Sequence, residues 1–264
     1  MSISPDTKKQ DNLERYLNSF ATQSFRDQAD RDYIAARLAC RFELMPQFLW
    51  ASHQAVEKYF KAILLYNKIR AKGVGHDLVK AQALTKGLSF KIELSSRSQK
   101  FLDHLSQCGQ FRYIDVPYNV HGYALIDLDV MVWELRRYCQ VLNVFGMVLP
   151  ADEQSRLNDA KVELLQSSSK PMHNFRLNGG LLEKILGDKS HPSRPPLLWN
   201  NPVFGLRKRT TVRAKHLSYV EHPLMYLYPE MLDELLKYVF VPDKLAEDYR
   251  AHLANIKANP DARP

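Results

Sequence analysis

"WASHQAVEKYFKAILLYNK", residues 50–68, is the stretch that decides the fold. Its apolar residues recur three and four positions apart, so they form one broad face of a helix. Glu57 and Lys61 stand four apart with the carboxylate first, which is the order that stabilises a helix. The stretch therefore predicts an amphipathic helix that packs against other helices. The residues of its apolar face are Ala55, Val56, Tyr59, Phe60, Ile63 and Leu64.

The same helical periodicity runs from the first residue to about residue 150, and glycine is scarce in this part of the chain. Asp77 is expected to cap a short helix that begins after it. Apolar residues three and four apart also predict one long helix from His121 to Leu149, about 40 Å in length, which Pro150 ends. The sequence therefore predicts a mainly α fold built as an antiparallel helical bundle. Two further helices are predicted over residues 30–45 and 95–110.

The composition changes after residue 150. We divide the chain into an N-terminal extension, a helical bundle, and a less regular, mostly helical C-terminal region whose function the sequence does not indicate. These parts span residues 1–28, 29–150 and 151–264. In the last part the patterns predict a helix over 152–166, a proline-rich segment at 191–205, a short strand within 210–220 and two closing helices over 229–239 and 242–256.

The 264-residue chain has a net charge of +8 and a sequence pI of about 9.3, which mildly favours polyanionic partners. Its three cysteines are widely spaced, so a disulfide framework or a cysteine-rich zinc site is not expected. The polar N-terminus lacks an apolar signal core, and no segment approaches the roughly 18 apolar residues of a membrane helix. We therefore expect a cytoplasmic protein that does not bind a membrane.

Most common catalytic motifs are missing from the sequence. It has no phosphate-binding GxxxxGK[ST] loop and no HExxH, GxSxG or calcium-loop pattern. His53 and Glu57 have the spacing of two metal ligands on one helix, but no third ligand accompanies them in the sequence. We therefore expect a structural pair there, with no metal site and no cofactor.

The central stretch also resembles the signature of the HEPN family, the higher eukaryote and prokaryote nucleotide-binding domains. The matching positions are "QAVEK" at 54–58, then Lys61, Ala62 and Leu64, then "HDL" at 76–78. "DYIAARLA" at 32–39 is similar to the first core helix of the family, and "NVHGYALID" at 119–127 resembles the entry to the last helix of HEPN toxins. The resemblance covers about residues 29–148 and implies an up-and-down helical bundle that often dimerises.

HEPN ribonucleases share a motif in which an arginine precedes a histidine, and the resemblance implies Arg112 and His121 as the catalytic pair. Histidine moves protons near neutral pH, and arginine offers a fork of donors that matches phosphate oxygens. Asn119 and Tyr123 are expected as neighbours in this site. Eight residues separate Arg112 from His121, which is a longer separation than in the family's motif.

Each of these residues also has a structural interpretation. His121 can be a helix-start residue that bonds the backbone or water, and Arg112 can form a salt bridge, for example to Asp115. Arg97 and His104 have the family's arginine–histidine spacing, although they do not occupy its position. Tyr123 resembles the tyrosine that partner nucleotidyltransferase antitoxins modify in some HEPN proteins, and an ordinary interface tyrosine is the alternative.

A basic stretch in the C-terminal region, "GLRKRTTVRAKH" at 205–216, is a candidate nucleic-acid contact. Such a cluster can bind a phosphate backbone by releasing counterions, and a solvated basic loop or strand is the alternative interpretation. Its cationic residues are Arg207, Lys208, Arg209, Arg213 and Lys215.

These observations lead to three hypotheses, of which the third is a helical interaction protein whose C-terminal part carries the specificity. The first is a HEPN-domain, metal-independent endoribonuclease of the prokaryotic defence or toxin type, acting on RNA as a homodimer and controlled by a nucleotidyltransferase antitoxin. The second is a HEPN module without catalysis that binds a nucleotide or a protein partner.

Overall fold

The computed structural model of this chain describes residues 5–108, 118–145, 149–205, 219–221 and 224–259. The chain groups into two compact units: a larger one of residues 1–110 and 123–214, and a smaller one of residues 111–122 and 215–264. The larger unit therefore includes residues 149–205 together with the helices of the first 108 residues. The boundaries predicted after residues 28 and 150 stay predictions.

The described part of the larger unit contains helices joined by turns and irregular segments, without a β-strand, which confirms the predicted mainly α fold. The described helices are α1 (Pro5–Phe20), α2 (Asp27–Arg41), α3 (Met45–Tyr66), α4 (Leu78–Leu84), α5 (Ser96–Cys108), α6 (Ala124–Arg136), α7 (Ala151–Ser167), α8 (Leu181–Gly187) and α9 (Arg194–Leu198). Helix α1 runs into α2 through a π-helical turn at Ala21–Arg26, and 3-10 turns follow α4 at Thr85–Gly87 and α7 at Met172–Asn174.

The smaller unit contains one antiparallel pair of short strands, β1 (Tyr118–Val120) and β2 (Tyr219–Glu221). β2 overlaps the strand predicted within 210–220 at residues 219 and 220, and the rest of that prediction lies outside the described residues. The helix predicted over 229–239 forms only as a 3-10 turn and the four-residue α11 (Leu232–Leu235), whereas α12 (Asp243–Ala258) confirms the last predicted helix. A four-residue α10 (Leu224–Leu227) precedes them. Tyr249 and Ala246 of α12 pack with Met225, Leu232 and Val241 in a small apolar core.

Helix α3 is the centre of the larger unit, as its sequence predicts. It is buried on nearly every side, and it packs against α2, α4, α5 and α6. Pro46 lies in its first turn, where a missing amide hydrogen has no cost. The predicted cap of α4 is confirmed, because the Asp77 carboxylate accepts a hydrogen bond from the Lys80 amide at 2.8 Å.

Helix α6 is shorter than its sequence predicts. It ends at Arg136, so it is about 20 Å long. The prediction of a single helix that reaches Leu149 is therefore wrong. Beyond α6, Arg137 bonds the Glu134 carbonyl and the Ser167 hydroxyl, which anchors a turn instead of a further helical turn. Cys139 and Leu142 are nevertheless buried, although the segment that carries them is not helical. An irregular segment can thus bury residues that are spaced as they would be in a helix.

Arg136 is a fully buried cation at the end of α6. Its guanidinium bonds both oxygens of Asp30 on α2, at 2.8 and 3.0 Å, and both oxygens of Glu183 on α8, at 2.7 and 2.6 Å. The Tyr59 hydroxyl donates to the same Asp30 carboxylate at 2.7 Å. Burial and this carboxylate raise the pKa of Tyr59. Arg136 therefore joins α2, α6 and α8 through one charged network.

Arg37 is a second buried cation, on α2. It bonds the Asp129 carboxylate of α6 and the main-chain carbonyls of Pro196 and Trp199. Tyr33 also donates to Asp129, at 2.6 Å. Residues 196 and 199 are thus fastened to the same bundle as α2 and α6.

No helix in the described ranges is both long enough and apolar enough to cross a membrane.

Replacing Arg37 with methionine is expected to lower the free energy of unfolding by about 3–5 kcal/mol, since it leaves the buried Asp129 carboxylate and two carbonyls without their cation. Urea denaturation followed by circular dichroism measures this change. The matched control is Arg156→Met, because Arg156 forms an exposed pair with Asp152 and its loss should change stability by about 0–1 kcal/mol. Equal stability of the two variants would contradict the network.

Glu183 gives a pH-dependent prediction. Burial alone would raise the pKa of Glu183, but Arg136 outweighs burial and the pKa lies below the ordinary 4.5. Its stabilising effect is therefore present above about pH 4.5 and is lost as the pH falls through the lower, folded-state pKa. The stability difference between the native chain and Glu183→Gln should shrink on acidification. Denaturation at a series of pH values measures it, and the exposed Glu163→Gln should show no such trend.

Candidate functional site

The signature residues of α3 surround one buried carboxylate, Glu57. It accepts hydrogen bonds from Lys61 at 2.5 Å and from His76 Nδ1 at 2.8 Å. Burial would raise the pKa of Glu57, but Lys61 and His76 outweigh it and lower the pKa, so the group is an anion at neutral pH. The His76 side chain is 70% exposed and belongs to the loop between α3 and α4. This arrangement fastens the loop to α3, and the next residue, Asp77, caps α4 as the sequence predicts.

His53 lies one turn before Glu57 and is fully buried. Its Nδ1 atom is 3.9 Å from a Glu57 oxygen, and burial lowers the pKa of His53 to about 4, so the ring is neutral at physiological pH. Within the described ranges no group of three or more His, Cys, Asp or Glu residues is arranged to hold a metal ion. His53 and Glu57 lie against each other in the core of the larger unit.

His121 follows the β1–β2 ribbon of the smaller unit. In that ribbon Asn119 pairs with Val220 and Val120 pairs with Tyr219. Side chains alternate along β1, with Val120 buried and Asn119 exposed. His121 comes next and is exposed, so its imidazole is accessible from solvent.

Tyr123 is the first residue of the second segment of the larger unit, residues 123–214, and directly precedes α6. Its carbonyl accepts the amides of Ile126 and Asp127 at 2.9 and 3.0 Å, which starts the helix. Its side chain is 46% exposed. Asn119, His121 and Tyr123 thus all present exposed side chains within five positions of the chain, and Gly122 and Tyr123 mark the change from the smaller unit to the larger one.

Arg97 is the arginine that the structure brings to the first turn of α6. Its guanidinium, on α5, bonds the buried carboxylate of Asp127, while the side chain stays 45% exposed. Sequence spacing linked Arg97 to His104 instead. The sequence signal that was missed is Asp127, an acidic residue in the first turn of α6. It could have indicated an ion pair with an arginine of a neighbouring helix, which is Arg97 of α5.

A cavity of about 360 Å³ lies in the larger unit between α4 and the start of α5. The amide groups of Gln82 and Gln99 bond each other at its wall, with 2.6 Å from Gln82 Nε2 to Gln99 Oε1. Lys91 and Glu93 also line it, so the cavity has both charged and amide groups. Its volume is in the usual range for small-molecule sites.

The remaining predicted site residues lie outside the described residues. They are Arg112 of the proposed catalytic pair and the basic residues Arg207, Lys208, Arg209, Arg213 and Lys215. The approach of Arg112 to His121 and the role of the basic stretch therefore stay predictions.

The comparison with protein families gives one match, in which the HEPN domain model covers residues 22–122. The match begins in the π-helical turn before α2, includes α3 with its Glu57 cluster, and ends one residue after His121. The C-terminal part of the chain has no family match. No match to the chain was found among curated proteins or among solved structures. Residues 22–122 of this chain are therefore a HEPN domain.

Proposed function

We propose that this chain is a metal-independent endoribonuclease of the prokaryotic defence or toxin type that acts in the cytoplasm. One observation carries the proposal: the HEPN match includes an exposed histidine, His121, one residue before its end and three residues before α6 begins. That is the place in the family where the catalytic histidine enters the last helix. A proton-transfer group must reach its substrate, and His121 meets this requirement.

The proposed reaction is attack of a ribose 2′-hydroxyl on the adjacent phosphate. His121 accepts the hydroxyl proton, the new bond to phosphorus forms, and the bond to the 5′-oxygen breaks as that oxygen takes up a proton. Arg112 supplies donors to the phosphate oxygens, on which charge accumulates in the transition state. The products are a 2′,3′-cyclic phosphate and a free 5′-hydroxyl. Asn119 and Tyr123 would orient the nucleotide beside these two groups.

The proposed partners follow from the family resemblance. A homodimer would bring the His121 residues of two protomers to one cleft, and a nucleotidyltransferase antitoxin would silence the enzyme by modifying Tyr123. The 46% exposure of the Tyr123 side chain supports access by such a partner. The basic residues between Arg207 and Lys215 would hold the RNA backbone.

The alternative function is a HEPN module that binds a nucleotide or a protein without cutting RNA. Two observations favour it: the long separation of Arg112 from His121, and the cavity beside Gln82, Gln99 and Lys91, whose donors and acceptors suit a small polar ligand. The two functions make opposite predictions for RNA cleavage.

End-labelled single-stranded RNA incubated with the protein in EDTA is expected to be cut and to carry cyclic phosphate ends. His121→Ala should slow cleavage by about 10²–10⁴-fold, which is what loss of a proton-transfer group costs. Gel electrophoresis of the products measures the rate. His173→Ala, a histidine outside the proposed site, is the matched control and should cut normally. Cleavage that persists unchanged in His121→Ala would refute the assignment, and no cleavage by any form would favour the binding function.

Replacing Arg207, Lys208 and Arg209 with alanine is expected to weaken RNA binding and to flatten its dependence on salt. Each lost phosphate contact lowers the slope of log K against log salt by about 0.7 for a single strand, so three contacts lower it by about 2. Fluorescence anisotropy at several salt concentrations measures the slope. The control removes the same charge from three exposed lysines, Lys161, Lys170 and Lys189. Equal slopes for both triple variants would assign the effect to net charge alone.

A further inference from the structure

An arginine–tryptophan pair lies on the larger unit where the end of α2 meets the segment after α9. The guanidinium carbon of Arg41 stands 5.5 Å from the ring centre of Trp199, a cation–π contact. The Arg41 side chain is exposed and the indole of Trp199 is half-buried. Phe42, the next residue along the chain, is 68% exposed. Planar groups are therefore displayed together on this surface.

The backbone that carries Trp199 is fixed from beneath. Its amide bonds the Pro195 carbonyl at 3.0 Å, and its carbonyl accepts from the buried Arg37. Asn200 then has a φ of +49°, in the left-handed region that turns the chain sharply. Asn201 follows as a buried anchor, because its side chain bonds Tyr33 and the Leu197 carbonyl at 2.8 and 2.9 Å. The backbone that carries the indole is thus held in place before any ligand arrives.

An indole that is paired with arginine and carried by an anchored backbone has the chemistry that binds unpaired nucleobases. Bases stack on aromatic rings and on guanidinium planes, and a ring that is already fixed loses little conformational entropy when it binds. The net charge of +8 favours an anionic partner over an apolar one. In sequence, the basic stretch begins at Arg207, eight residues after Trp199.

We propose that Trp199 and Arg41 form a stacking platform for an unpaired base of single-stranded RNA. The proposal rests on the proposed function for its substrate class, and it pairs Arg41, inside the HEPN match of residues 22–122, with Trp199, outside it. Stacking reads the face of a base and not its edge, so the platform grips the strand without selecting a sequence.

A 2′-O-methyl oligonucleotide of about 12 nucleotides tests the platform, because it binds like RNA and lacks the attacking hydroxyl. Trp199→Ala is expected to weaken its binding by about 5- to 150-fold, the effect of losing one stacked base. Arg41→Ala should weaken binding in the same direction and removes no buried group. Its matched control is Arg31→Ala, an exposed arginine on the same helix, which should bind normally. Circular dichroism and thermal melting establish that each variant is folded.

Tryptophan fluorescence gives a direct readout, since the chain has three tryptophans, Trp50, Trp133 and Trp199. Stacking at Trp199 predicts that the oligonucleotide quenches emission from the native chain and from Trp50→Phe, and that this quenching is largely lost in Trp199→Phe. A duplex of the same sequence should quench less, because its bases are already stacked.

Unchanged affinity in folded Trp199→Ala and Arg41→Ala, or unchanged quenching in Trp199→Phe, would overturn the platform and would leave the pair as an internal structural contact. That result is distinct from failure of the proposed function. Absence of RNA cleavage by the native chain refutes the nuclease and leaves the binding titration intact, whereas unchanged binding in the variants refutes the platform and leaves cleavage intact.

Discussion

Two buried arginines, Arg37 and Arg136, set the condition that the larger unit must satisfy. Burying a guanidinium without partners costs too much free energy, so the folded core must place carboxylates or carbonyls beside each buried arginine. α2 and α6 supply some of them, through Asp30 and Asp129. The rest come from the C-terminal region, through Glu183 of α8 and the carbonyls of Pro196 and Trp199. The helical core is therefore complete only with residues 181–199 in place.

This condition gives the C-terminal region a role that the family match does not contain. The match stops at residue 122, before Asp129 and Arg136. A segment that pairs with buried cations must hold its backbone in a fixed position, and the same rigidity is what displays Trp199 at the surface. The proposed base contact at Trp199 therefore depends on the same hydrogen bonds that complete the helical core.

The sequence predicted those features that depend on neighbouring residues. Periodicity identified α3, and local rules identified the Asp77 cap and the Glu57–Lys61 pair. The end of α6 was missed because Cys139 and Leu142 keep a helical spacing while the chain is irregular. The partners of Arg37 were missed because carbonyls carry no signal in the sequence, and Trp199 lies 162 positions away from it. Whether Arg112 meets His121 depends on residues between them that follow no periodic pattern.

Three histidines show how the surroundings decide what identical side chains can do. His53 is sealed in the core, and burial lowers its pKa to about 4, so it cannot take part in proton transfer with a substrate near neutral pH. His76 is exposed, but its Nδ1 is committed to the Glu57 carboxylate at 2.8 Å and holds a loop. Of these three, His121 alone combines exposure with a position just before α6. Residue type made all three candidates, whereas burial excludes His53 and exposure keeps the His121 ring accessible to solvent.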